Sequence, residues 1–133
     1  MWSSVRALIG LWLLFGSVIA ARAEEPVVAT LVLNEYQFIP ALLKLPKGRP
    51  IVLRLRNQGK EKHEFVTAAF EAVEIEVHGS GIEVGGKGIT EIELEPGRKV
   101  EITLPALAAG QYDIICEATG HLDRGMKATL VVE

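Results

Sequence analysis

Apolar and polar residues alternate along most of this chain with a period of two, the pattern of strands with one buried face. Val27 to Leu33 is rich in β-branched residues. Ala41 to Leu45 is a short segment ending at the turn Pro46-Lys47-Gly48. Ile51, Leu53 and Leu55 alternate with Val52, Arg54 and Arg56 until Asn57-Gln58-Gly59 breaks the run. Val73, Ile75 and Val77 alternate with Glu74 and Glu76. Ile92 and Leu94 precede the turn Pro96-Gly97, and Val100, Ile102 and Leu104 alternate with Lys99, Glu101 and Thr103. Tyr112, Ile114 and Cys116 share one parity; Met126, Ala128, Leu130 and Val132 share another. No helical stripe stands out beyond one turn within Glu61 to Phe70, and the glycine-rich stretch Gly79 to Gly88 reads as a long hairpin loop. Seven or eight short strands between glycine and proline turns predict an all-β, Greek-key antiparallel β-sandwich.

The start of the chain does not follow this pattern. Arg6 gives a positive flank, Ala7 to Ala20 is apolar and uncharged, and Ala21-Arg22-Ala23 is a small-x-small cleavage site. Residues 1–23 therefore read as a secretory signal peptide, with an apolar run too short for a spanning helix. Residues 24–133 form one small domain of 110 residues, with no stable membrane insertion after cleavage. Setting aside Arg6 and Arg22 leaves 12 basic and 17 acidic residues, a net charge of −5. That balance argues against nucleic acid as a partner.

A secreted domain of this size often carries disulfides, yet Cys116 is the only cysteine. A lone thiol in an oxidising compartment is a liability unless it is buried, paired between chains or bound to metal. Its neighbours favour metal. His121 follows five residues after Cys116, Met126 five after that, and His63 lies upstream behind another strand. One thiolate, two imidazoles and a weak axial thioether are the donors of a blue-copper site, soft enough to suit both copper oxidation states. Cys116 would end one strand and Met126 begin the next, so that the loop carrying His121 wraps the ion. Gly120 and Gly125 suit a tight loop with unusual dihedrals. His78 falls on the polar parity of its strand and reads as solvated. Tyr112 reads as a corner tyrosine whose hydroxyl meets backbone within Leu107 to Gly110.

These residues resemble the cupredoxins, the small secreted blue-copper proteins of the plastocyanin and azurin type. The matching segments are Asn57-Gln-Gly-Lys-Glu-Lys-His63-Glu-Phe65 and Gly110-Gln-Tyr112-Asp-Ile-Ile-Cys116, running into Gly-His121 and Gly-Met126. Phe38-Ile-Pro40 and Lys47-Gly48 also look like the family's opening strands. The resemblance covers essentially the whole of 24–133. It implies one mononuclear type 1 copper held by His63, Cys116, His121 and Met126. Two positions depart from the common pattern: Glu64 stands where many members have Asn, and Thr119 where many have Pro.

Read together, these features predict a periplasmic one-electron carrier, a monomer that docks transient redox partners near His121. Ala118, Gly120 and Leu122 would frame an exposed edge of that ring. Two other roles use the same donors: copper binding and delivery in copper homeostasis, or service as an accessory cupredoxin to a metal oxidation or uptake system. An enzyme is not expected. A stand-alone multicopper oxidase needs further histidine clusters, and the chain has only His63, His78 and His121.

Overall fold

A computed structural model describes residues 24–133. The signal peptide expected over residues 1–23 lies outside the described residues. Two packed sheets enclose one core. The first contains six strands in the order β2-β1-β4-β9-β6-β7, the second five in the order β3-β11-β10-β5-β8. In chain order these are β1 (Val27–Asn34), β2 (Gln37–Ile39), β3 (Leu42–Leu45), β4 (Ile51–Asn57), β5 (His63–Val66), β6 (Glu74–Gly79), β7 (Ile82–Lys87), β8 (Glu91–Leu94), β9 (Lys99–Leu104), β10 (Gly110–Ile115) and β11 (Lys127–Val132). The chain changes sheet at most connections, as a Greek-key sandwich requires.

The sandwich expected from the alternation is present, with two corrections. Among the described residues there are eleven strands rather than seven or eight. The three additions are β2, β5 and β7. β2 is only three residues long, too short to show a period. β5 occupies the middle of the segment read as holding a helical turn, whose helical part is confined to the 3₁₀ turn Ala68–Phe70. β7 lies inside the glycine-rich stretch read as a loop; the true turn is Ser80-Gly81. Nor are the sheets purely antiparallel. β1 runs parallel to β4, and β3 runs parallel to β11. Pairing direction depends on which strands become neighbours, and alternation within one strand carries no information about its neighbour.

The inward parities close the core. Leu53 lies opposite Ile102 and Leu55 opposite Val100 on β4 and β9. Ile114 pairs with Ala128 and Tyr112 with Leu130 on β10 and β11. Leu31, Leu33, Phe65, Ile102 and Ile114 have no exposed surface. The Tyr112 hydroxyl donates to the Ala108 carbonyl at 2.9 Å, as expected of a corner tyrosine. Cys116 and Met126 continue the buried parity of β10 and β11 beyond the end of their ladder, and both are fully buried. The functional residues therefore gather at one pole of the sandwich.

Candidate metal centre

Each ligand candidate is placed by a strand end. His63 is the first residue of β5, opposite Leu94 of β8. Cys116 follows β10 and Met126 precedes β11. The intervening loop is pinned at its base by Cys116 N–H to the Met126 carbonyl, 3.2 Å. Within it His121 N–H reaches the Ala118 carbonyl at 3.0 Å, and the His121 carbonyl accepts from Arg124 and Met126 N–H, each at 3.1 Å. Turning this tightly needs left-handed backbone at Gly120 (φ 76°) and Gly125 (φ 88°).

His63, Cys116 and His121 meet in the interior, with their donor atoms within 4.8 Å of one another. His63 Nδ1 and His121 Nδ1 are 3.1 Å apart, and Cys116 Sγ is 3.4 Å from His121 Nδ1. The Glu64 backbone N–H donates to Cys116 Sγ at 3.3 Å. This position thus serves the thiolate through its main chain, whatever its side chain. Burial pushes the Cys116 thiol above its usual range, and burial followed by the facing His121 ring lowers the His63 pKa. An interior that disfavours both a thiolate and an imidazolium keeps the empty site neutral, and a bound cation would take the place of the thiol proton. Two imidazole Nδ1 atoms and one sulfur converging in a dry pocket fit a copper ion, and the cluster is able to bind one. Met126 is tied to this loop through its backbone and is fully buried beside it.

The outer sides of the two rings hold residues the sequence reading passed over. His121 is only 6% exposed, so its edge is not the open port expected. Its Nε2 meets Glu61 Oε2 at 2.9 Å. The Tyr36 ring stands edge-on to it, with centroids 5.3 Å apart. Among the described residues His63 Nε2 has no hydrogen-bond partner; it faces Glu35 Oε1 at 3.9 Å. A Cβ on Gly59 would stand 2.5 Å from that Glu35 oxygen and 2.8 Å from His63 Nε2, so only glycine leaves room for the carboxylate beside the ring.

Asn57 organises the segment between β4 and β5. Its buried amide donates to the Leu94 and Glu61 carbonyls, each at 2.8 Å, and its oxygen accepts Gly59 N–H at 2.8 Å. Polarity at the end of an otherwise apolar parity (Ile51, Leu53, Leu55, Asn57) was the signal that could have marked it. His78 lies outside this centre. It is half-exposed on β6 with Glu76 Oε2 at 3.6 Å, and it joins no metal-ligand cluster among the described residues.

The sequence model of the cupredoxin-like domain family matches residues 6–132. No curated protein matches the sequence. Among solved structures, the chain is similar to auracyanin A, a "blue" copper protein of Chloroflexus aurantiacus, at 21% identity over 82% of this chain and 100% of that one, with a TM-score of 0.57. Reduced auracyanin of Roseiflexus castenholzii is similar at 19% identity over 82% and 98%, with a TM-score of 0.56. A multicopper oxidase of Campylobacter jejuni, described as a metallo-oxidase, is similar at 15% identity over 86% of this chain, with a TM-score of 0.63. The chain spans 31% of that oxidase and 44% of a second one. At these identities the likeness concerns the fold. The match over residues 6–132 establishes that the chain belongs to the cupredoxin-like domain family, and the sandwich and the cluster of His63, Cys116 and His121 agree with it.

Proposed function

We propose that the protein is a periplasmic one-electron carrier with a single type 1 copper, held by His63, Cys116 and His121 with Met126 as axial donor. The convergence of two Nδ1 atoms and one buried sulfur from the start of β5, the end of β10 and the loop that follows it carries this reading. Copper held there would supply one-electron redox chemistry. The chain's own part is to keep the donors fixed between the two oxidation states. The loop hydrogen bonds at His121 and the Glu64 N–H on Cys116 do so. Burial of the cluster excludes water from the thiolate. The residues 1–23 support export to the periplasm, and no helix among the described residues is long and apolar enough to cross a membrane. A transient redox partner would dock over the His121 loop, where Leu122 is 44% exposed beside Ala118 and Gly120.

One observation favours a second reading, copper delivery or service to a metal oxidation or uptake system. Glu61 and Tyr36 cover the outer edge of His121, where a carrier would leave the ring open to its partner. A copper(II) titration of residues 24–133, followed by visible absorption, tests the first reading. An intense thiolate-to-copper band saturating at one equivalent is expected. Rapid loss of that band to a competing chelator would favour delivery, and no band would defeat the type 1 assignment.

A further inference from the structure

We propose that Glu61 is a positioning residue of the metal centre: by accepting the Nε2 hydrogen of His121 it fixes that ring as a ligand preferring copper(II) and closes its outer edge. This rests on the copper reading above. The geometry is a connected chain. Glu61 Oε2 lies 2.9 Å from His121 Nε2. An ionised carboxylate only accepts, so Nε2 carries the hydrogen and the Nδ1 lone pair is left facing Cys116 and His63. Glu61 is itself held at both ends. Its Oε1 accepts from the Tyr36 hydroxyl at 3.1 Å, and its carbonyl accepts from the Asn57 amide at 2.8 Å. Arg124 in turn donates to the Tyr36 hydroxyl, and its guanidinium lies 4.5 Å over the Tyr36 ring. Glu61 and Arg124 themselves lie at the surface and are not needed to build the core.

A carboxylate drawing on the far N–H makes an imidazole a more basic ligand, and its negative charge further favours the more highly charged metal state. Outer partners of this kind are typically worth about 10–100-fold in metal affinity. Tyr36 acts in the opposite sense, because its hydroxyl hydrogen competes for the same carboxylate. The measurement is the ratio of copper(II) to copper(I) dissociation constants, from chelator competitions run separately for each state. Protein of residues 24–133 would be compared with its Glu61→Gln and Tyr36→Phe variants. Glu61→Gln is expected to shift the ratio about tenfold or more toward copper(I). Tyr36→Phe keeps the ring against His121 and is expected to shift it toward copper(II). An unchanged ratio in Glu61→Gln, or shifts of the same sign in both variants, would overturn the inference. Wild-type protein that takes up no copper would instead overturn the reading on which it rests.

The open edge of β7 carries a second, independent inference. β7 ends the six-stranded sheet, and among the described strands it pairs only with β6. The turn residues Ser80 and Gly81 have φ of 52° and 81°, a two-residue turn of the primed type. Gly79 and Ile82 are then the hydrogen-bonded closing pair, and Val84 and Gly86 also direct their backbone groups to β6. Glu83, Gly85 and Lys87 direct theirs to the open side. Ile82 and Val84 share the parity of buried Val77, yet they are 39% and 50% exposed.

We infer that this edge pairs antiparallel with β7 of a second copy of the chain. A two-fold axis at Gly85 sets Glu83 of each copy opposite Lys87 of the other, giving two opposite-charge pairs with no side chain between them at the centre. Sedimentation equilibrium of residues 24–133 should show a concentration-dependent dimer. Glu83→Lys sets like charges opposite one another and should dissociate it. Adding Lys87→Glu should restore it. A monomer at millimolar protein, or a Glu83→Lys variant as dimeric as wild type, would overturn the inference.

Discussion

Asn57→Ala is the sharpest test of how the metal pole is built. The Asn57 side chain makes three hydrogen bonds of 2.8 Å and is only 2% exposed. Truncation leaves the Leu94 carbonyl unpaired in the interior, at a cost of about 1–3 kcal/mol. The Glu61 carbonyl and Gly59 N–H lie nearer solvent and can be rehydrated, so each adds roughly 0.5–1 kcal/mol. The sum is about 2–5 kcal/mol. Unfolding entropy of ~2.1 cal/mol/K per residue gives roughly 0.23 kcal/mol/K for the 110 residues 24–133. The melting temperature should therefore fall by about 9–22 °C. The assay is thermal unfolding of the copper-free domain followed by far-ultraviolet circular dichroism. The same variant should bind copper more weakly, because the segment carrying Glu61 loses the Asn57 bridge between the Glu61 and Leu94 carbonyls. A fall of less than about 3 °C would refute the reasoning, since the buried carbonyl would then have found another partner.

Three further outcomes are expected. Cys116→Ser should abolish the thiolate-to-copper band while leaving the circular dichroism unchanged, because the hydroxyl can still accept the Glu64 N–H; a retained band would remove Cys116 from the ligand set. Met126→Gln should keep the copper but lower its reduction potential, because an oxygen donor favours copper(II) over copper(I) more than a thioether does; an unchanged potential by voltammetry would show that Met126 is not axial. The copper-free domain should lose stability as pH drops below 6.5, because burial and the facing His121 ring hold the His63 pKa under that value and the unfolded chain takes the proton first. That loss levels off once the folded ring also protonates. Glu61, whose pKa is lowered chiefly by its His121 hydrogen bond, contributes fully above pH 4.5, and its contribution is lost as pH falls further. Urea midpoints at pH 8 and pH 5.5 check the His63 part, and equal midpoints would contradict it.

Much of this centre was legible in the chain. Cys116, His121 and Met126 sit on one short loop, and the parities of β10 and β11 already turned Cys116 and Met126 inward. His63 was proposed from its place behind a strand end and from the resemblance, while its own four-residue strand showed no period. Glu35, Tyr36, Gly59 and Glu61 were not legible. Each looks like an ordinary turn residue until β1 and the segment before β5 are folded against the ligand loop. Tyr36 even takes a left-handed φ of 61°, which no local pattern announced.

By itself, then, the sequence determined the period-two strands, the buried parities, the loop chemistry of Cys116, His121 and Met126, and the corner role of Tyr112. These depend on neighbours a few residues apart, where backbone geometry alone decides which way a side chain points. Tertiary structure alone decided the parallel pairing of β1 with β4 and of β3 with β11, the strand hidden in the glycine-rich stretch, and the meeting of His63 with His121 across 58 positions. It also decided that carboxylates, rather than open solvent, stand at the outer nitrogens of both histidines. Such contacts are set by which strands become neighbours and by what the packed core leaves room for, and no local pattern of residues encodes either.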